Sequence, residues 1–154
     1  HIAFYGSQMN MEIAKNRFNG YKDALLKFGL PYQPELTRIC DNRHDAEMIT
    51  PDLFDGDRYP DAFFAVNDDT ALGILYTVKR MGLRVPEDIS ICGFSNGVRA
   101  VSSDPMMTTV EQNGIRVGEE AANILIGHVE GAIPINRAEK RIVRTRLILR
   151  GTTR

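Results

Sequence analysis

The sequence predicts an α/β fold built on a parallel sheet with crossover helices on both faces. Short apolar runs, at residues 2–5, 36–40, 62–66 and 89–92, alternate with longer segments of helical period. The chain has 154 residues, of which 43% are hydrophobic and 25% are charged. A chain of this length and composition buries a sizeable core without disulfides or metals.

A helix is predicted over residues 11–28, between the first two strands. Apolar residues there recur at alternating steps of four and three, which places them on one face of a helix. They are Ala14, Phe18, Tyr21, Leu25 and Phe28. The pattern ends at Gly29 and Pro31. Residues 45–54 predict a shorter helix, and residues 55–57 and 59–61 have the composition of a loop.

The third strand is followed by a predicted helix with two apolar stripes. Asp68 or Asp69 is expected to cap this helix, and Gly82 is expected to end it. The two stripes are Ala71, Leu75 and Val78, and Leu72, Tyr76 and Leu83. The first stripe is expected to face the core. The second belongs either to the same core or to a subunit interface.

The last third of the chain predicts three more elements. Residues 97–105 lack a long apolar stripe, and residues 107–110 form a short extended piece. A helix is predicted over residues 114–128 and a strand over residues 142–149. In that strand the apolar residues alternate with arginines, which is typical of an edge strand.

Charge and cysteine content exclude several classes of protein. The chain carries 19 Lys and Arg against 20 Asp and Glu, so it has no overall basic character for binding nucleic acid or membranes. Two cysteines do not form a disulfide framework, and we expect both as reduced, buried thiols. The sequence contains neither a signal peptide nor an apolar run near ~18 residues. We therefore expect a cytoplasmic protein without membrane contact.

Polar residues follow each of the four predicted strands. Because the carboxyl ends of parallel strands share one edge of the sheet, these side chains are expected to meet there and to bind a ligand. Hydroxyl, amide and carboxylate groups together suit a polyhydroxylated molecule. The residues are Ser7, Asp41, Asn42, Asn67, Ser95 and Asn96. The alternative is that they serve only as turn residues and helix caps.

Arg17 is a second candidate for ligand binding. It lies beside the apolar face of the first helix, in the half of the helix nearest the strand ends. A guanidinium there can bind hydroxyls or a carboxylate with two parallel hydrogen bonds. The alternative is an ordinary solvated arginine on the surface.

The chain offers little support for catalysis or metal binding. Residues 93–97, GFSNG, match the G-x-S-x-G motif of serine hydrolases after a predicted strand. However, His128 falls inside a predicted helix, and no long helix is predicted directly after the motif. The three histidines are scattered without metal-ligand spacing, so no metal site is predicted.

Taken in order, the segments resemble the ligand-binding core of the LacI/GalR family of bacterial transcriptional repressors. The resemblance covers nearly the whole chain. It rests on the strand at 2–4 and the helix pattern from Arg17 through Gly20, Tyr21 and Leu25. It continues with DAFFAVND at 61–68, ALG at 71–73, GLRVPEDIS at 82–90, and GF at 93–94. The remaining matches are the segment 105–112, Gly118 and the ending at 147–153.

The resemblance implies a sensing region of a DNA-binding transcriptional regulator. In this family an amino-terminal helix-turn-helix headpiece reads operator DNA, and a core of two lobes closes on a small effector. A sugar or related small metabolite is the implied effector, with no catalytic residue, metal or cofactor. The resemblance also implies a homodimer that binds operator DNA only through the headpiece.

Individual positions match the pattern of the family. Arg17 and Asn67 match residues that contact effector in many members, and Asp41 and Asn42 lie in a loop that often carries another contact. Leu72 matches a position of the dimer interface, which favours an interface role for its stripe, including Tyr76.

The turn after the fourth strand departs from the family pattern. Ser95 stands where many members have an aspartate that binds sugar hydroxyls, so the identity of the effector does not transfer. Asn96 is expected to supply part of the lost polarity. The resemblance also explains the G-x-S-x-G match, because this turn is an effector loop in the family.

The resemblance also predicts how the chain is divided. We expect residues 1–107 and 139–154 to form a carboxyl-terminal lobe, and residues 108–138 to cross into an amino-terminal lobe that is absent here, as is the headpiece. The apolar face of the helix at 114–128 is then exposed, repacked or swapped with another chain, and effector binding is weak. The alternative is a sugar-binding receptor without DNA function, and a serine hydrolase is the third class.

Overall fold

A computed structural model describes residues 1–56 and 59–154. The described residues form one six-stranded sheet with the strand order β2-β1-β3-β4-β5-β6. The first five strands are parallel, and β6 runs antiparallel to β5. The strands are β1 (Ile2–Gly6), β2 (Thr37–Ile39), β3 (Ala62–Ala65), β4 (Ser90–Ser95), β5 (Thr108–Glu111) and β6 (Arg146–Ile148).

Five α-helices and two short 3-10 turns connect the strands. The helices are α1 (Glu12–Lys27), α2 (Arg43–Ile49), α3 (Asp68–Arg80), α4 (Val98–Ser102) and α5 (Gly114–Val129). The 3-10 turns are Pro34–Leu36 and Pro51–Phe54. Part of the loop predicted at 55–57 lies outside the described residues. No helix in the described part of the chain is long and apolar enough to cross a membrane.

The helices cover both faces of the sheet, as predicted. Successive residues of a strand point to opposite faces. Phe4 packs with Tyr21 and Leu25 of α1 in one cluster, whereas its neighbours Ala3 and Tyr5 belong to the larger cluster that holds α2 and α3. The alternating pattern of β1 therefore separates the two halves of the core.

Helix α1 buries most of its predicted face. The Phe4 and Tyr21 rings stack with centroids 5.1 Å apart, and the Tyr21 hydroxyl donates a hydrogen bond to the Ile2 carbonyl over 2.7 Å. Phe28 was predicted to belong to this face but is 73% exposed. The helix ends at Lys27, and Gly29 adopts a φ of +67°, which turns the chain away from the helix axis beyond Phe28.

Side-chain caps explain where α2 and α3 begin. Helix α2 starts earlier than predicted because the Asn42 side chain accepts a hydrogen bond from the Asp45 N–H over 2.9 Å. Neither Asp68 nor Asp69 caps α3, contrary to the prediction. Asn67 is the cap, and its side-chain oxygen accepts from the Thr70 N–H over 2.8 Å.

The second stripe of α3 divides between core and surface. Leu72 is only 5% exposed and belongs to the core, and Leu83 packs against that core. Tyr76 is 38% exposed, with the Arg43 guanidinium 4.6 Å from its ring centroid. Leu72 and Leu83 both pack in or against the core of this chain. Tyr76 is therefore the member of the stripe that is exposed enough for a partner to contact. The interface itself stays a prediction.

The carboxyl-terminal third is only partly integrated into the sheet. The predicted strand at 142–149 is reduced to Arg146–Ile148. Residues 108–111, predicted to begin the crossing segment, form β5 inside the sheet, and Thr108 and Thr109 are buried. Helix α5 has no buried residue. The crossing of the chain into a second lobe after Glu111 remains a prediction.

Candidate functional site

The predicted site residues lie at the carboxyl edge of the parallel strands. Ser7 follows β1, Asp41 follows β2, Asn67 follows β3, and Ser95 ends β4. These strands are adjacent in the sheet. The Asn67 amide donates to the Asp41 carbonyl over 2.7 Å, which ties the ends of two strands separated by β1. The Ser7 side chain makes no hydrogen bond within the described residues.

Arg17 is a half-buried and oriented side chain at this edge. Its Nη1 donates to the Val66 carbonyl over 2.9 Å, and its guanidinium carbon lies 4.0 Å from the centroid of the Phe94 ring. Burial lowers the pKa of the Arg17 guanidinium below its ordinary value, but an arginine remains charged. The geometry differs from that of a freely solvated surface arginine, and it leaves further N–H groups available to a ligand.

Two of the predicted ligand residues, Asn67 and Asn42, are also helix caps. Asn67 caps α3 and bridges to Asp41, so one N–H of its amide has no partner among the described residues. Asn42 caps α2, and its amide donates to the Asp45 carboxylate over 2.8 Å. Both residues therefore act as helix caps, and their contact with a ligand stays a prediction. The Asp41 side chain is exposed at the edge.

The turn after β4 has an unusual backbone. Ser95 has a φ of 119° and Asn96 a φ of 53°, both in the region that favours glycine. The Ser95 hydroxyl accepts a hydrogen bond from the Gln112 amide over 2.8 Å. The Asn96 amide donates to Glu111 over 2.6 Å, and its oxygen accepts from Arg150 over 2.7 Å. Asn96 is therefore engaged by the protein at both ends of its amide.

The buried Asp68 carboxylate holds this turn in place through hydrogen bonds. Asp68 is 4% exposed, and its two carboxylate oxygens accept from the Thr109 hydroxyl over 2.5 Å and from the Gly97 N–H over 2.8 Å. A Cβ atom at Gly93 would overlap the Asp68 carboxylate, so β4 approaches α3 closely only because residue 93 is glycine. The sequence predicted Asp68 as a possible cap of α3 and gave no indication of this role.

A groove of about 960 Å³ opens beside Arg17. It runs between α1 and the face of the sheet that presents Phe64 and Phe94, and Gln112 lies along it. Sequence reasoning missed all three residues. The alternation of β3 and β4 was the available signal for the two phenylalanines, because it places Phe64 and Phe94 on the same face as Phe4.

The geometry around Ser95 does not match a serine nucleophile. The nucleophilic serine of a hydrolase needs a histidine base within hydrogen-bond reach, and no histidine contacts Ser95 in the described ranges 1–56 and 59–154. His128 lies in α5, with its ring nitrogen 3.2 Å from the Ile133 carbonyl. Helix α4 behind the turn has only five residues. Those same ranges hold no cluster of His, Cys, Asp and Glu for a metal.

Comparison with protein-family models decides the assignment. The model of the periplasmic binding protein-like domain matches residues 1–153. The chain belongs to this family. The match covers almost every residue, and it agrees with the mostly parallel sheet flanked by helices on both faces.

The relatives of this periplasmic binding protein-like domain are transcriptional regulators. The repressor CytR of Escherichia coli (strain K12) is 34% identical over 145 residues, which are 94% of this chain and 42% of CytR. The regulator CelR of Thermobifida fusca is 31% identical over 131 residues, covering 84% of this chain and 38% of CelR. Both proteins carry the designation HTH-type, for helix-turn-helix.

Solved structures agree on the fold and the extent of the match. A CelR–cellobiose complex superimposes with a TM-score of 0.89 at 28% identity, covering 98% of this chain and 46% of that one. A putative LacI regulator from Bacillus cereus subsp. cytotoxis NVH 391-98 gives a TM-score of 0.90 at 28% identity, covering 99% and 54%. The chain thus spans about half the length of the proteins it matches. The predicted resemblance to the LacI/GalR effector-binding core is confirmed.

Proposed function

We propose that this chain is the effector-sensing region of a DNA-binding transcriptional regulator, and that its sheet edge binds a sugar or a related polyhydroxy molecule. The observation that carries the proposal is the placement of Arg17. Its guanidinium is held between the Val66 carbonyl, which directly precedes Asn67 in the chain, and the Phe94 ring, and Arg17 lines the groove. A charged group oriented in this way is prepared to bind a ligand with little loss of side-chain entropy.

The chemistry of the edge favours a carbohydrate. Ligand sites combine apolar walls with a few placed polar groups, and the groove supplies two phenylalanine rings beside Arg17 and Gln112. The C–H face of a sugar packs on such rings, while its hydroxyls give and accept hydrogen bonds. The CelR structure, which is a complex with cellobiose, supports the same class of ligand.

Each candidate residue has a distinct role in this proposal. Arg17 donates to ligand hydroxyls with its remaining N–H groups, and Asn67 donates with the N–H that has no partner in the described part of the chain. Ser7 and Ser95 offer hydroxyls, and the Asp41 carboxylate accepts. Asn42 caps α2 beside Asp41 and, like Asn67, keeps one amide N–H without a partner in the described residues, which would donate to the ligand.

Ligand binding would affect DNA binding by changing the populations of an open and a closed state of the regulator. The segment 108–138, in this proposal, crosses into a second lobe, and a ligand that bridges the lobes favours the closed state. Couplings of this type are typically ~1–3 kcal/mol. The regulator would work in the cytoplasm as a homodimer, with the Tyr76 surface in the interface and operator DNA bound by a separate headpiece.

A binding experiment on Arg17 tests the ligand site. The chain is first screened by thermal shift at millimolar cellobiose, monosaccharides, sugar phosphates and nucleosides, and the affinity of each stabilising compound is measured by calorimetry. Arg17→Ala is expected to weaken binding by about 10-fold to 150-fold, the range for a lost hydrogen bond to a charged group. Arg17→Lys keeps the charge but not the paired N–H groups, so it should also weaken binding.

The control is Arg80→Ala, which removes an exposed arginine at the far end of α3. It should bind as tightly as the unchanged chain. If Arg17→Ala binds as tightly as Arg80→Ala, the site is misassigned. If the screen finds no stabilising compound at all, the carbohydrate-sensing proposal fails.

A sugar-binding receptor without DNA function is the second candidate. The matching family model favours it, because that model describes a periplasmic binding protein-like domain rather than a regulator. The helix-turn-helix designation of the relatives favours the regulator instead. The coding sequence upstream of these residues discriminates the two: a helix-turn-helix there supports the regulator, and a signal peptide supports the receptor.

A further inference from the structure

The carboxylate of Glu111 joins two turns at the carboxyl edge. One of its oxygens accepts from the Asn96 amide over 2.6 Å, and the other accepts from the Asn113 N–H over 2.7 Å. Asn96 belongs to the turn after β4, and Asn113 is the N-cap residue directly before α5. Arg150 supports the first turn by donating to the Asn96 oxygen over 2.7 Å and to the Met107 carbonyl over 2.9 Å.

Both turns need this support because their backbones are unusual. Asn96 and Asn113 have φ values of 53° and 58°, and Ser95 has a φ of 119°. These three are the non-glycine residues with positive φ in the described ranges, and all lie next to Glu111 contacts. Such conformations persist where surrounding contacts determine them. Asn113 has no side-chain cap hydrogen bond of its own, so the Glu111 carboxylate is the contact that holds its N–H.

We propose that Glu111 is a positioning residue that couples the turn 95–97 to the start of α5. Because one carboxylate serves both turns, loosening either turn loosens the other. The coupling itself needs no ligand, and its meaning as a path for a ligand signal rests on the proposed function. Asn96, predicted as a ligand contact, then also acts on the ligand through the position of Ser95.

The charges around Glu111 are compatible with a carboxylate that stays ionised. Hydrogen bonds from the Asn96 amide, and then from the Asn113 N–H, lower the pKa of Glu111 below its ordinary value. Arg146 on β6 lowers it further through its charge. The coupling is therefore expected to operate throughout the neutral range.

Hydrogen exchange measured residue by residue by NMR tests the coupling on the chain as it exists. Two amides report on the β4 turn: the Asn96 N–H, which donates to Thr109, and the Gly97 N–H, which donates to Asp68. Two report on α5: the Asn113 N–H, and the Val117 N–H, which donates to the Asn113 carbonyl. Local opening raises exchange in proportion to its equilibrium constant.

The decisive variant is Asn96→Ala, which changes only the β4 turn. Exchange at Asn113 and Val117 is expected to rise about 10-fold, the low end for a lost hydrogen bond to a charged group. Glu111→Gln should raise exchange in both turns. Glu119→Gln makes the same chemical change on an exposed residue of α5 and should raise neither. Faster exchange at Gly97 with unchanged exchange at Asn113 in Asn96→Ala overturns the proposal.

A rescue experiment separates coupling from simple loss of structure. Asn96→Asp places a second carboxylate against Glu111 and should speed exchange at Asn113. Adding Glu111→Gln to that variant restores a donor opposite an acceptor, so exchange at Asn113 should slow again. If the double variant exchanges at least as fast as Asn96→Asp alone, the coupling fails. These results are independent of the ligand screen. If the coupling is observed but no compound in the screen binds, the proposed function fails and the coupling stands.

Discussion

Replacing Asp68 with asparagine measures how strongly the buried carboxylate holds the edge of the sheet together. Asp68→Asn preserves the shape of the side chain but removes its charge. The Asp68 carboxylate accepts from the Thr109 hydroxyl and the Gly97 N–H. In the variant, the amide oxygen still accepts from Gly97, and the Thr109 hydroxyl rotates to accept from the new N–H group.

The expected loss of stability follows from these two contacts. A hydrogen bond to a charged group contributes ~1.5–3 kcal/mol and a neutral one ~0.5–1.5 kcal/mol, so the two exchanges cost about 2–3 kcal/mol. Asp68 is also the first residue of α3, where a negative charge stabilises the helix by ~0.3–1 kcal/mol. The free energy of unfolding should therefore fall by about 2–4 kcal/mol.

Urea unfolding at pH 7, followed by circular dichroism, measures this change. With a dependence on urea of ~2 kcal/mol per molar, the midpoint should fall by about 1–2 M. The matched control is Asp23→Asn, an exposed aspartate of α1 without a hydrogen bond among the described residues, which should change stability by less than ~0.5 kcal/mol. Equal midpoints for the two variants would refute the assignment of Asp68 as an anchor.

Two further predictions concern stability. Hydrogen bonds from the Arg84 side chain and N–H lower the pKa of Asp88 from 3.8 to about 2, so the stability from this pair is present above pH 4 and is lost as the pH falls to about 2. The stability of Asp88→Asn, measured by unfolding at pH values from 7 to 2, should lack that loss. The same loss of stability in this variant and in the unchanged chain would contradict the prediction. Thr152→Val should lower the free energy of unfolding, measured in urea, by about 1–3 kcal/mol, because it removes the acceptor of the buried Thr108 N–H. The control Thr153→Val should lower it by less. Equal losses would contradict the reasoning.

The sequence predicted the elements well because hydrophobic period is a local property. The helix predicted at 114–128 is observed at Gly114–Val129, and the four apolar runs all became strands. Where local signals compete, the prediction was less accurate. Residues 45–54 satisfy a helical pattern, but Pro51 lacks an N–H for helix continuation, so α2 ends at Ile49 and a 3-10 turn follows.

The site was predicted as a location and only partly as a set of contacts. Parallel strands bring their carboxyl ends together whatever their side chains, so the placement of Asp41 and Asn67 at one edge followed from the prediction of a parallel sheet. The role of Asn96 did not follow, because Arg150, its partner, lies 54 residues away in the chain. Strand alternation indicated the face of the sheet on which Phe94 lies, but not its contact with Arg17, which depends on how α1 packs on that face.

By itself, the sequence determined the fold class, the order of elements and the family to which the chain belongs. These depend on the spacing of apolar residues and on short motifs, which neighbouring residues specify. Only the tertiary structure decided which polar groups remain available to a ligand and which are engaged by the protein. Asp68, 41 residues before its partner Thr109, is such a case. The sequence does not show whether a polar side chain faces a ligand or bonds to a residue far away in the chain. Only the packing of the folded chain distinguishes these two cases.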